Sequence, residues 1–192
     1  MNPQQPTEQT SVSYETGIWV FIFADMCMFA LYFFVFALDR SLHPDQFLQG
    51  QMTLNKTFGG ANTLILLLSS CFMAKAVHAA RFYDTANYSR NVRLTILCGC
   101  MFMVIKASEY FETLTGGYHV ATNVFYRDYF VFTGLHMLHV ITGLSVLAYA
   151  QFFGNSDKSL KNNARFIENS ALYWHMVDVL WVVLFTLIYL AP

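Results

Sequence analysis

The sequence predicts an all-α, polytopic membrane protein with five transmembrane helices. Two observations of composition carry this, and one of pattern. Of the 192 residues 56% are hydrophobic and 17% aromatic, and only 12% are charged, where a soluble domain carries about 25% charge. Five windows reach the roughly 20 apolar residues that a helix needs to cross a bilayer. Their sequences do not alternate apolar with polar, as strands of a membrane barrel would; "LFTLIYL" and "FMVI" are continuous.

In chain order, residues 1–16 ("MNPQQPTEQTSVSYET") form a polar N-terminal tail. The tail has no Lys or Arg and no small-residue cleavage site after an apolar core, so it is neither a secretory signal nor an Arg-rich transit peptide. The first span is therefore expected to be kept. Residues 17–192 form the transmembrane domain, with spans expected at 17–38, 60–80, 92–114, 128–152 and 170–191. The connections are short, and "GNSDKSLKNNARF" reads as an ordinary loop. Trp19, Trp174, Tyr126, Tyr129, Tyr149 and Tyr189 fall near span ends, where amphipathic rings favour the headgroup level.

The loops set an expected orientation. One side holds Lys75, Arg81, Arg90, Arg93, Lys158, Lys161 and Arg165; the other holds Arg40, Lys56 and Arg127. Basic residues gather on the cytoplasmic side, which puts the N-terminus in the cytoplasm. A net charge of −1 and the absence of a basic run argue against nucleic acid as a partner. Cys27, Cys71, Cys98 and Cys100 all lie within spans. They read as small buried apolar residues, since Cys98 and Cys100 point to different sides of a helix and chelate poorly.

The informative residues are ionisable groups inside the spans: Asp25, Lys106, Glu109, Glu112, His136, His139, His175 and Asp178. Such residues are expensive in lipid, face the protein interior and commonly mark function. A rise of about 1.5 Å per residue sorts them into two layers. The outer layer holds Lys106, Glu109 and His136 with Glu112 at its edge; the inner holds Asp25, His139, His175 and Asp178. Lys106 and Glu109 are i,i+3 neighbours, as are His175 and Asp178, and the shared depth makes His139 and Asp178 candidate partners.

Three readings of these layers compete. Interhelical hydrogen bonds could fix the helix packing. Glu and His on facing helices could hold a metal, although carboxylate bundles place Glu-x-x-His within one helix. A proton path would need polar stepping stones between the layers, and the intervening residues are mostly aliphatic.

"ASEYFE" (residues 107–112), "TGLHMLHVITG" (133–143) and "YWHMVDVLWVVLFTLIYL" (173–190) resemble the motifs of subunit III of the haem–copper respiratory oxidases, in the same order and at similar spacing. "GIWVFIFADMCMFALYFF" resembles that family's helix with a mid-membrane acid, which is Asp25 here where Glu is usual. The likeness runs from Gly17 to the C-terminus.

The resemblance implies a non-catalytic subunit of a terminal oxidase in a bacterial cytoplasmic membrane. It implies no cofactor in this chain, with haem and copper held by partner subunits I and II. It also implies that phospholipid occupies a cleft between splayed helices. On this reading the site residues are structural. Trp19, Tyr173, Trp174 and Trp181 are candidates for the lipid or subunit interface. The resemblance further implies protection of the catalytic subunit and support of proton uptake. Five spans match the shorter bacterial cytochrome c and quinol oxidase subunits rather than seven-helix members. Lys106 stands where Gln is common. A five-helix branch accompanies nitric oxide reductases and is the runner-up partner; a metal-binding membrane enzyme comes third.

Overall fold

The computed structural model describes residues 8–154 and 156–191, so the first seven residues of the polar tail lie outside the described residues. Helices α1 (Glu8–Leu42), α2 (Pro44–Thr53), α3 (Lys56–Arg81), α4 (Thr85–Thr115), α5 (Val124–Phe153), α6 (Asp157–Asn162) and α7 (Ala164–Phe185) follow one another, and α7 ends in a π-helical turn, Thr186–Leu190. There is no strand among the described residues. Five helices are long and apolar enough to cross a membrane: Gly17–Leu42, Lys56–Arg81, Thr85–Thr115, Val124–Phe152 and Ala164–Leu190. Four of the five start before their expected residue, and in three of these the polar N-terminal end supplies the reason. Side-chain caps extend α3, α4 and α5 past their apolar windows: Asn55 accepts from Thr57 N, Asp84 from Asn87 N and Asn123 from Tyr126 N, each at 3.0 Å. These oxygens satisfy N–H groups that the first turn leaves open.

Two connections hold helices that apolar patterning does not reveal. Helix α2 opens with Pro44, whose fixed φ suits a first helical turn. The segment read as an ordinary loop contains α6, capped by the Ser156 hydroxyl accepting from Ser159 N.

Helices α3 and α4 pack closely, α7 lies against both α3 and α5, and α1 leans on α5 and α7 from outside. Of the apolar window of α1 only 17% is buried, against 56% for the last span. Helix α7 is thus the central element and α1 the peripheral one.

The centre is organised around two indoles. Trp174 is wholly buried, and a Cβ built on Gly99 or Gly143 would come within 2.9 or 2.8 Å of its ring. Small residues on α4 and α5 therefore make the space that the indole fills. Its Nε1 donates to the Ser69 hydroxyl at 2.9 Å, and Trp181, equally buried, donates to the Thr63 hydroxyl at 3.1 Å. Both were expected at a lipid or subunit interface, and both belong to the interior instead. The reason is that each N–H finds a hydroxyl on α3. Tyr126, Tyr129 and Tyr189 are likewise buried rather than interfacial, whereas Trp19 and Tyr149 are more than half exposed.

Two predictions follow from packing and capping. Gly143→Ala should lower the thermal midpoint in detergent, since overpacking costs about 1–3 kcal/mol. Shortening Trp174 to Leu in the same chain should shrink the loss caused by Gly143→Ala; an equal loss in both backgrounds would show that the indole is not the clash. Asp84 lies between spans, and its hydrogen bonds from Asn87 hold its carboxyl below the ordinary carboxylate value. A lowered folded pKa means that the cap stabilises above the unfolded pKa and is lost as pH falls through the folded one. Asp84→Ala should therefore destabilise at neutral pH, with the difference closing in acid; a difference that persists at low pH would exclude this charge as its source.

Candidate functional site

The outer polar layer is a closed network deep between α4, α5 and the π-helical turn. Lys106 is fully buried and Glu109 is 2% exposed. The Lys106 ammonium donates to Glu109 Oε1 at 3.1 Å, to the Tyr189 hydroxyl at 2.7 Å and to the Tyr129 hydroxyl at 3.2 Å. Three donors thus meet three acceptors. Both tyrosines pass a hydrogen bond on to Glu109 Oε1, Tyr129 at 2.6 Å. The rings of Tyr129, Trp181, Tyr189 and Tyr110 stand 4.8, 5.2, 5.3 and 5.6 Å from the ammonium, within the range of cation–π attraction.

Lys106 and Glu109 therefore meet, as their i,i+3 spacing allows. His136 does not join them. It is completely buried, its two ring nitrogens have no hydrogen-bond partner, and it packs against Phe102 and Trp181 at 5.7 and 5.3 Å. Glu112, expected at the edge of this buried layer, is exposed, because its position turns it to the rim of α4. Sequence reasoning missed Tyr129 and Tyr189 as network members. Their places near span ends gave the same signal that an interfacial tyrosine gives.

The inner layer resolves into separate pairs. Asp25 on α1 meets His139 on α5, with Oδ1 3.0 Å from Nε2. The His139 Nδ1–H donates to the Leu135 carbonyl at 2.8 Å, which fixes the ring. His175 Nδ1 hydrogen-bonds the Ser70 hydroxyl at 2.7 Å, and neither oxygen of buried Asp178 has a hydrogen-bond partner. The depth-based pairing of His139 with Asp178 is corrected: His139 turns to Asp25 on α1, and neither Asp178 oxygen reaches it. Another tie was not foreseen. Arg127 bridges Asp39 of α1 at 2.5 Å and Asp128 of α5 at 2.9 Å. Among the described residues no three His, Cys, Asp or Glu side chains converge as a metal group.

Between α1 and the α5/α7 pair runs an apolar groove of about 580 Å³, lined by Ile18, Phe21, Thr142, Val146 and Tyr173 among others. Beside it lies a crevice of about 630 Å³ where Trp19 and Leu172 meet His78, Arg81, Arg165 and His175. Asn169 borders both.

A double-mutant cycle tests the inner layer. Asp25→Leu and His139→Leu should couple by about 1–3 kcal/mol, the cost of a buried partner left unpaired. His139→Leu and Asp178→Leu should be additive in thermal melting. The reverse pattern would exclude the geometry described.

The polar pairs alone do not name the protein. A sequence model of cytochrome c oxidase subunit III matches residues 5–191. The chain is 33% identical over 91% of its length to a cytochrome c oxidase subunit 3 of Synechocystis, covering 74% of that protein. It is 31% identical over 91% of its length to that of Thermostichus vulcanus, covering 85%. The counterpart in Corynebacterium diphtheriae is 30% identical over 90% of this chain and 85% of its own. With five apolar spans and a match of this extent, the chain belongs to the cytochrome c oxidase subunit III family of haem–copper oxidases.

Proposed function

We propose that this chain is the non-catalytic subunit III of a terminal oxidase in a bacterial cytoplasmic membrane, bound to a haem-bearing subunit I together with subunit II. The family match across residues 5–191 carries this reading. Its role is to stabilise the catalytic subunit, hold phospholipid and support proton uptake. Support for the lipid part comes from the apolar groove beside a crevice that holds Arg165 and Arg81, the latter paired with Glu168 at 2.9 Å, a combination that suits acyl chains next to a polar headgroup. Seven basic residues (Lys75, Arg81, Arg90, Arg93, Lys158, Lys161, Arg165) against three (Arg40, Lys56, Arg127) favour a cytoplasmic N-terminus.

In this reading Asp25 acts through structure. It ties the peripheral helix α1 to α5 through His139.

Purifying the complex from its native membrane and recording its visible spectrum tests the assignment. The chain should bring down a large haem subunit whose bands and partners distinguish an oxidase from a nitric oxide reductase. Purified alone, it should show no haem absorbance and no stoichiometric iron, copper or zinc; one tightly held redox metal per chain would overturn the non-catalytic reading. In the assembled complex, Asp25→Ala should leave initial turnover nearly unchanged and shorten the time over which activity lasts. Immediate, complete loss would place Asp25 in the chemistry.

A further inference from the structure

At the end of α1 away from the groove, two opposite charges line one cavity and do not meet. This cavity, of about 410 Å³, lies between the last turns of α1 and helix α2 and is lined by Ala37, Arg40, Ser41, Asp45, Leu48 and Gln51 among others. At a rise of 1.5 Å per residue it stands roughly 30 Å along α1 from Ile18 of the groove, in the other leaflet. Arg40 and Asp45 make no hydrogen bond or ion pair among the described residues. Asp39, the acid next to Arg40, is taken by Arg127. Each charge has the sign that its own helix end favours, Arg40 in the last turn of α1 and Asp45 in the first turn of α2. That accounts for each charge alone and leaves the space between them open.

The neutral polar groups of the wall all offer the same thing. The Ser41 hydroxyl donates to the Leu38 carbonyl at 2.7 Å. The Gln51 amide spends both its protons, on the Ile188 and Ala191 carbonyls at 3.0 and 2.9 Å. What these two side chains can present to a ligand is therefore a lone pair. Below them the wall is apolar and open to the membrane: Leu48 is exposed, as are Phe34 and Leu38, which share a helix face with Ala37 and Ser41.

We propose that this cavity holds the headgroup of a phospholipid that ends in a primary ammonium, as in phosphatidylethanolamine. The guanidinium of Arg40 suits a phosphate, whose oxygens it can take in pairs. An ammonium has three N–H donors and no acceptor, which matches the Asp45 carboxylate together with the Ser41 and Gln51 lone pairs. The acyl chains lie along Leu38 and Phe34. A trimethylated headgroup keeps the positive charge and has no N–H to give; a glycerol headgroup has no cation for Asp45. The volume is that of an ordinary small-molecule site, which runs from about 300 to 1,000 Å³. The site needs the five spans to cross a bilayer and needs no partner subunit, so it stands or falls apart from the oxidase reading.

Native mass spectrometry of the delipidated full-length chain tests it with three lipids of identical acyl chains: phosphatidylethanolamine, phosphatidylcholine and phosphatidylglycerol. The expected result is one phosphatidylethanolamine bound about tenfold or more tightly than either other lipid, the scale of a hydrogen bond to a charged group. Asp45→Asn should remove the preference over phosphatidylcholine, and Arg40→Gln should weaken phosphatidylethanolamine by a similar factor. Neither side chain has a partner to lose, so both variants should melt near the parent chain in lipid-free detergent. The three-lipid comparison on the parent chain does not depend on them. Arg165→Gln, in the crevice at the other end of α1, should leave the preference unchanged. Equal binding of the three lipids, a preference that survives Asp45→Asn, or one that follows Arg165 instead would each overturn the site.

Discussion

Lipid offers no hydrogen bonds, and every other feature of this bundle answers to that constraint. A polar side chain below the headgroups must be satisfied by another helix or carry a cost of several kcal/mol. Lys106 and Glu109 meet it by closing a network with Tyr129 and Tyr189, in which each ammonium proton has an acceptor. A buried ion pair of this kind is weak evidence for net stability, because desolvating both charges offsets most of their attraction. Its effect is asymmetric: breaking it is far costlier than never having made it. The network therefore fixes which faces of α4, α5 and the π-helical turn can meet. The polar side-chain atoms of Asn62, His136 and Asp178 are buried without a hydrogen bond, at the cost that this constraint sets.

Apolar packing explains why α7 is central and α1 is not. Lipid tails solvate leucine as well as another helix does, so close approach depends on small residues. Gly99 and Gly143 let α4 and α5 close on Trp174, and Gly59 admits Phe185 and Tyr189 to the same degree. Helix α1 packs through aromatic contacts such as Phe29 with His139 and Phe36 with Phe47. Its polar ties to α5 are Asp25–His139 and Asp39–Arg127. A helix held at a few points leaves gaps between them, and the apolar groove is one of those gaps.

Length and hydropathy made the five spans legible, because a bilayer imposes a minimum run that chance seldom meets. The ion pair Lys106–Glu109 was legible for a different reason: i,i+3 spacing puts both on one helix face whatever the rest does. Contacts between helices were not. Depth along the membrane gives one coordinate, and His139 with Asp178 share it, yet rotation about each helix axis decides which neighbour a side chain meets. The same missing rotation hid the burial of Trp174 and Trp181 and the exposure of Glu112. Helix α2 escaped because ten mixed residues carry no apolar run, although Pro44 was a usable start signal. Motif order, by contrast, placed the chain in its family without any of this geometry.

The Asp25–His139 contact shows how one tie can serve both packing and the groove. Leu135 accepts the Nδ1 proton, so Nε2 and Oδ1 hold a single proton between them. With the proton on nitrogen the pair is ionic; with it on oxygen both groups are neutral. Either way one hydrogen bond spans the helices. The attachment of α1 therefore does not depend on where that proton rests. Tyr173 donates to the backbone carbonyl of the same His139 and packs its ring against Phe21, which forms the opposite wall of the groove. The polar tie and the groove are thus linked through Tyr173, which lines the groove and hydrogen-bonds the backbone of His139. Loss of the Asp25 carboxyl therefore acts first on the seat of α1 against α5, and reaches the groove through His139 and Tyr173.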